Sequence, residues 1–249
     1  MNKLYNELTN YIVELGDSIK HRSSIIVSED EKDIKLNLDA EINTKITSFL
    51  KDKFSYPILS EEGTKQLSYN DYEDKFWIID PLDGSLNFSR NMPLSCISIG
   101  LFNGSKPKFG CIYDFNRKDL FITQIDNCFL NNQKIKTSNI KKKSRGILCT
   151  GFPSFRDYGK KSLNDFLDKI KDWKKIRAIG SAALSLAWVA RGWADAYIEE
   201  DIRIWDVAAG LALVEAAGGE IFIKENNRAN FVTAIATNGN ISVKELIEL

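Results

Sequence analysis

Two carboxylates three residues apart, Asp80 and Asp83, are the side chains of this sequence best suited to chemistry. They lie in residues 80–88 (DPLDGSLNF), directly after the apolar run Phe76–Ile79, which predicts a buried strand that ends in acid and a turn beyond it. Burying like charges so close together is costly unless a cation neutralises them, and oxygen-only ligands favour a hard ion such as Mg2+. The Gly84–Ser85 backbone offers N–H groups to an anion such as phosphate. Taken alone, Asp83-Gly84 more often marks a hairpin turn.

Further acidic elements along the chain also adjoin hydrophobic segments. Glu61 and Glu62 follow the apolar run Tyr56–Leu59, Asp206 opens an apolar helix, and Asp39 lies in the segment Leu36–Ala40. Each acid is therefore tethered to the core, and a shared site for several metal ions would account for all of them. Asp206 alone would also fit the cap of its helix.

The chain resembles the inositol monophosphatase family of Mg2+-dependent, typically Li+-sensitive phosphatases. Residues 80–88 match the family signature D-P-[IL]-D-G-T-x-N-F with Ser85 in the place of Thr, and residues 205–209 match W-D-x-A-[AG]. The E-E element (61–62), the T-G-F-P element (150–153) and the G-S-A-A-L element (180–184) follow in the family order. The resemblance covers nearly the whole chain.

The resemblance implies an α/β fold, a layered α-β-α-β-α sandwich, and a metal-dependent phosphomonoesterase acting on inositol monophosphate or a related sugar or polyol phosphate. It implies two or three Mg2+ ions, with Mn2+ as a substitute, and a homodimer. Within the family the sequence leaves open 3'-phosphoadenosine 5'-phosphate, fructose 1,6-bisphosphate and histidinol phosphate as substrates. A non-catalytic regulator is the alternative from another class, since some relatives bind RNA polymerase or RNA.

The clustered carboxylates and the resemblance together suggest roles for particular residues. Ser85 would lie next to the attacking water with Asp39 accepting its proton, while Glu199 would contact substrate hydroxyls beside Ala182. The metal ligands would be Glu61, Asp80 and the Leu82 carbonyl for one ion, Asp80, Asp83 and Asp206 for a second, and Glu62 for a weaker third ion. The candidate catalytic residues are Asp39, Glu61 and Ser85, and the candidate phosphate and substrate contacts are Asp83, Gly84, Ser85, Ala182, Glu199 and Asp206.

Composition narrows the choice of function. The sequence of 249 residues has 34 Lys plus Arg and 34 Asp plus Glu, so its net charge of zero favours neither nucleic acid nor membrane as a partner. The four cysteines show no CxxC spacing and are expected to be buried, reduced thiols. His21 is the only histidine and is expected at a solvated helix end, which argues against Ser-His-Asp catalysis and zinc chemistry. The N-terminus lacks a signal-peptide pattern, so we expect a cytoplasmic protein.

Hydrophobic periodicity places these residues on elements. The first part of the chain suggests an antiparallel-rich half (1–140) and the second an α/β half (146–249), with a subdomain break near the polar run 141–145 of a single unit. The predicted helices are 2–20, 40–52, 159–173, 181–191 and 206–217, and the predicted strands are 76–79, 95–102, 108–113, 119–124, 146–150, 175–179, 194–199, 220–223 and 232–237. The charged segment Glu199–Arg203 fits either a solvated turn or a substrate loop.

Overall fold

Two large β-sheets, a small two-stranded sheet and seven α-helices form the fold in the computed structural model, which describes residues 3–20, 22, 26–29, 34–63, 68–153 and 156–247. The expected position of His21 lies outside the described residues. The helices are α1 (Lys3–Ile19), α2 (Asn37–Lys53), α3 (Ser85–Ser89), α4 (Lys160–Ile170), α5 (Ala182–Arg191), α6 (Ile204–Ala216) and α7 (Lys244–Ile247). A separate antiparallel pair is formed by β1 (Ile26–Glu29) and β2 (Ile34–Leu36).

The first large sheet has seven strands in chain order, and only its first pair is parallel. The antiparallel character expected for this part of the chain is confirmed. Its strands are β3 (Ile58–Ser60), β4 (Lys75–Asp83), β5 (Cys96–Asn103), β6 (Lys106–Asp114), β7 (Asp119–Gln124), β8 (Asn127–Leu130) and β9 (Gln133–Ile135). Trp77 and Ile79 pack on one face of β4 and Phe76 and Ile78 on the other, which explains why this strand is apolar without alternation.

The second large sheet has five strands in the order β11-β10-β12-β14-β13. Its strands are β10 (Ile147–Thr150), β11 (Lys175–Arg177), β12 (Ala196–Arg203), β13 (Glu220–Glu225) and β14 (Phe231–Thr237). Strand β10 pairs in parallel with both β11 and β12, whereas β14 is antiparallel to its two neighbours. The carboxyl ends of three parallel strands therefore lie at one edge of this sheet.

The layers follow from where the apolar residues are buried. Helices α1 and α2 cover one face of the seven-stranded sheet, and α5 and α6 fill the space between the two sheets. Residues of α4 and α7 pack on the outer face of the five-stranded sheet. This arrangement confirms the predicted α-β-α-β-α sandwich.

Several boundaries differ from the prediction. Helix α2 begins at Asn37 rather than at residue 40, so Asp39 lies in its first turn, and α4 ends at Ile170. The charged segment after Glu199 is the second half of strand β12, not a solvated turn. All four cysteines are buried and free, as expected, and no described helix is long and apolar enough to cross a membrane.

Candidate metal-dependent active site

Strand β4 positions the two carboxylates that the sequence singled out. The turn expected across Pro81 is wrong: β4 continues to Asp83, which pairs with Cys96 after an irregularity in the register between Asp80 and Asp83. Such an irregularity re-aims side chains. One carboxylate oxygen of Asp80 accepts a hydrogen bond from the Leu82 N–H at 3.0 Å. Both acids are buried, with exposed fractions of 2% and 8%.

Gly84 makes the sharp passage from this strand into α3. Its φ of +84° favours glycine, and an added Cβ would lie 2.6 Å from the Leu94 carbonyl oxygen. The Asn87 side chain fixes the neighbouring loops, because its amide donates to the carbonyl oxygens of Leu94 and Ile179, each at 2.8 Å. The motif is therefore fastened to the loop that precedes α5.

Ser85 and Asp39 lie side by side, as the resemblance implied. The Ser85 hydroxyl is 2.8 Å from the Leu82 carbonyl oxygen, to which it donates, and 3.4 Å from the nearer carboxylate oxygen of Asp39. The other Asp39 oxygen accepts the Leu36 N–H at 2.8 Å and so holds the first turn of α2. Asp39 is 4% exposed.

Glu61 and Glu62 begin the turn that follows β3. The Glu61 N–H donates to the Ile79 carbonyl, which carries Glu61 beside the end of β4. The Ser60 hydroxyl donates to the Asn43 side chain at 2.7 Å, so α2 supports this turn.

Asp206 comes from the first turn of α6. It is the third helical residue and not the cap, because the helix begins at Ile204 with Arg203 before it. Trp205 is buried, and the Arg203 guanidinium lies 5.1 Å from its ring centre. The small residues Ala208–Gly210 let α6 pack closely against the sheet and against α5, where a Cβ on Gly210 would lie 2.4 Å from the Leu186 Cβ.

The carboxylates from these elements lie within range of strong mutual repulsion. The pKa of Asp80 is raised well above its usual value, first by burial and then by the charges of Glu61, Asp83, Asp206 and Asp39. Burial followed by the charges of Glu61 and Asp83 raises the pKa of Asp206 in the same way. The structure therefore brings together five of the acids that the sequence predicted.

These residues fit a hard cation. The donors are carboxylate oxygens with a backbone carbonyl beside them, which is the set that Mg2+ prefers, and a cation would relieve their repulsion. Among the described residues, no three acidic, cysteine or histidine side chains converge tightly enough to bind an ion as they stand.

The N-terminus of α5 provides contacts to Asp83 that the sequence did not reveal. The Ser181 hydroxyl and the Ala183 N–H, the latter at 2.8 Å, donate to one Asp83 oxygen, while Ser181 also caps α5. Ala182, the predicted substrate contact, is buried as the first residue of that helix. Burial raises the pKa of Asp83 to about 6 even though these hydrogen bonds lower it. The sequence signal that could have indicated this role is Ser181 directly before an apolar helix, because serine is a favoured helix N-cap.

Glu199 lies at the carboxyl end of the parallel part of β12 and is 7% exposed. Burial, with the charge of Asp83 adding to it, raises the pKa of Glu199 to about 8, while the Arg156 charge opposes this. A Cβ on Gly151 would lie 2.5 Å from a Glu199 carboxylate oxygen, so the T-G-F-P element passes directly against this side chain. Asp201, two residues further along β12, takes the left-handed backbone conformation with a φ of +58°, at the irregularity in the pairing with β14.

Comparison with known proteins identifies the family of this chain. The model of the inositol monophosphatase family matches residues 6–243, and the chain belongs to that family. An inositol monophosphatase of Dictyostelium discoideum is 29% identical over 98% of this chain and 93% of its own length. The Nus factor SuhB of Xylella fastidiosa is 37% identical over 79% of this chain and 71% of its own.

Solved structures show the same fold. The SuhB protein of Bartonella henselae superposes with a TM-score of 0.81 at 26% identity, over 95% of this chain and 94% of that one. The inositol monophosphatase of Thermotoga maritima superposes with a TM-score of 0.79 at 28% identity, over 100% of this chain and 94% of that one.

Proposed function

We propose that this protein is a Mg2+-dependent phosphomonoesterase that hydrolyses inositol monophosphate or a related cyclic polyol or sugar phosphate. The observation that carries the proposal is the gathering of Glu61, Asp80, Asp83 and Asp206 within electrostatic reach of one another, with the Ser85–Asp39 pair at the same strand end. Burying carboxylates without a neutralising partner costs free energy. Membership of the inositol monophosphatase family offers a reason for the grouping, because bound metal ions would neutralise these charges.

Each residue has a task in the hydrolysis. Glu61, Asp80 and the Leu82 carbonyl would hold one ion, Asp80, Asp83 and Asp206 a second, and Glu62 a weaker third. Bound Mg2+, or Mn2+ in its place, supplies positive charge for the phosphoryl oxygens and for activation of the attacking water.

Proton transfer involves Ser85 and Asp39. The Ser85 hydroxyl accepts the proton of the attacking water as it passes its own proton to Asp39, whose nearer oxygen is 3.4 Å away. The water oxygen forms the new P–O bond and the ester P–O bond breaks. The leaving alkoxide takes up a proton from solvent water, and Asp39 returns the proton it received to solvent. The backbone of Gly84 and Ser85 offers N–H groups to the phosphate.

The substrate's hydroxyls would be met by Glu199, next to Ala182. A relative from Dictyostelium discoideum bears the name inositol monophosphatase, which supports a polyol leaving group. We further expect a cytoplasmic homodimer with a single unit per chain and a subdomain break near 141–145, which size-exclusion chromatography with light scattering and limited proteolysis can test.

A role as a Nus factor is the second candidate, because the SuhB relative from Xylella fastidiosa has that name. The intact set of acids and the adjacent Ser85 and Asp39 favour catalysis, since a purely structural protein gains nothing from buried like charges.

The test is phosphate release from a substrate panel with Mg2+ titrated and EDTA as control. The panel holds inositol 1-phosphate, fructose 1,6-bisphosphate, 3'-phosphoadenosine 5'-phosphate, histidinol phosphate and β-glycerophosphate. We expect Mg2+-dependent release with inositol 1-phosphate preferred. Absence of release from every compound at any Mg2+ concentration would overturn the proposal and favour the Nus-factor role.

A further inference from the structure

Phe152 and Tyr158 form an exposed pair of aromatic side chains that the hydrolysis described above does not use. Their exposed fractions are 51% and 36%, which is high for such large rings. The ring centres are 6.3 Å apart and the planes are 28° from parallel, so the rings stack. The Phe152 ring also packs edge-to-face with the Phe166 ring, and the two ring centres are 4.9 Å apart.

The pair lies beside the substrate end of the site. In the parallel pairing of β10 with β12, Thr150 is opposite Ile198, so Gly151 and Glu199, which follow them, lie side by side where this parallel pairing ends, with Glu199 still paired to β14. The contact between Gly151 and Glu199 places Phe152 one residue from that carboxylate. Ligands of sheets with parallel strands bind outside the carboxyl ends of those strands.

Several contacts hold the aromatic pair in place. The Tyr158 hydroxyl donates to the carbonyl oxygens of Phe152 and Pro153, at 3.0 and 3.1 Å. Behind the pair, the buried Arg156 guanidinium lies 4.6 Å from the Phe166 ring centre and pairs with Glu200 at 3.3 Å. The rings are therefore fixed before any ligand arrives, which lowers the entropic cost of binding.

We propose that Phe152 and Tyr158 form a stacking wall for the ring of the leaving group and select cyclic over open-chain phosphate esters. This inference rests on the proposed function. A cyclic polyol has hydroxyls at its rim and an apolar C–H face, so Glu199 accepts hydrogen bonds from the rim while the aromatic wall covers the face. An open-chain leaving group has no such face.

The test compares Phe152→Ala with the wild type on inositol 1-phosphate and on β-glycerophosphate, at saturating Mg2+. We expect KM for inositol 1-phosphate to rise about tenfold with kcat nearly unchanged, because the stacking contact is the same in ground and transition states. For β-glycerophosphate, kcat/KM should stay within about twofold of the wild-type value. Phe152→Tyr should retain the preference, and Leu167→Ala removes an equally exposed apolar side chain from α4 as the matched control.

Other outcomes separate the two proposals. An active wild type whose preference is unchanged in Phe152→Ala would overturn the stacking wall alone. An equal loss on both substrates, together with a changed oligomeric state in light scattering, would also overturn it and make the aromatic pair a contact between copies. A wild type inactive on both esters at all Mg2+ concentrations would overturn the proposed function and the wall with it.

Discussion

At the scale of single residues, the proposed chemistry depends on small displacements. The Ser85 hydroxyl is shared between the Leu82 carbonyl and Asp39, and Glu199 has Gly151 against its carboxylate. Serine keeps the hydroxyl of the family threonine but loses the methyl group that restricts χ1. Each contact can be removed by a change of one or two atoms.

Ser85→Ala tests the proton-transfer pair. We expect kcat to fall about 100-fold or more, the usual effect of losing acid–base assistance, with the Mg2+ activation constant nearly unchanged. Ser85→Thr should restore most of the rate, and Ser89→Ala, on the same short helix, serves as the control. Near-normal turnover in the Ser85→Ala protein would remove this hydroxyl from the mechanism.

Gly151→Ala tests the position of Glu199. The added Cβ would lie 2.5 Å from a carboxylate oxygen, so Glu199 must move and kcat/KM for inositol 1-phosphate should fall about tenfold. Gly159→Ala is the matched control, because its Cβ would meet only the flexible end of Asp157. Steady-state kinetics of both variants test this expectation. If kcat/KM of Gly151→Ala equals that of Gly159→Ala, Glu199 does not require this spacing.

At the scale of elements, the acids reach one place because α6 lies very close to the seven-stranded sheet. Ala208 lies against Gly100, and a Cβ on Gly110 would be 2.2 Å from the Ala209 carbonyl oxygen. Close packing of backbone on backbone leaves α6 little freedom. The first turn of α6, with Asp206, is thereby held opposite β4.

Gly110→Ala tests this close approach. The methyl group must push α6 away, so we expect the free energy of unfolding to fall by about 2 kcal/mol and Mg2+-dependent turnover to fall with it. Urea unfolding, with Gly159→Ala as the reference for a tolerated glycine change, measures the first effect. Unchanged stability would mean that the helix has room to move.

The sequence predicted most long elements but not the details that aim the side chains. Periodicity identified α1, α5 and α6 closely, whereas the continuation of β4 through Pro81 was missed because proline and glycine are typical turn residues. Asn131 and Asn132 take positive φ values in the β8–β9 turn, a backbone conformation that asparagine adopts more readily than most residues. The contact of Ser181 with Asp83 joins residues 98 positions apart, and no local pattern encodes such a contact.

At the scale of the whole molecule, the acid cluster makes folding depend on pH. Burial raises the pKa of Asp83 to about 6 and that of Glu199 to about 8, and the pKa of Asp80 is raised as well. The folded protein therefore binds more protons than the unfolded chain between about pH 4 and pH 8. Stability must then decrease as pH rises through this window.

We expect the full decrease in EDTA and a smaller one in excess Mg2+. Each unit of raised pKa corresponds to about 1.4 kcal/mol, so the free energy of unfolding should fall by several kcal/mol between pH 5 and pH 8 without metal. Mg2+ favours the ionised form of the carboxylates that hold it and should reduce the slope, while Glu199, whose pKa is raised mainly by burial and which is not assigned to a metal ion, should keep part of it. Urea titrations at four pH values measure both curves. Stability in EDTA that is flat or rises with pH would contradict the electrostatic account.

The most direct test of the central claim is Mg2+ titration calorimetry of the wild type and Asp80→Asn. Asp80 is the acid assigned to both principal ions, so its loss should weaken Mg2+ binding at least tenfold and abolish most phosphate release. The variant also removes a buried charge, so the metal-free protein should unfold at the same or a higher temperature, which separates loss of function from loss of folding. Unchanged Mg2+ binding by folded Asp80→Asn would contradict the assignment of these carboxylates as the metal site.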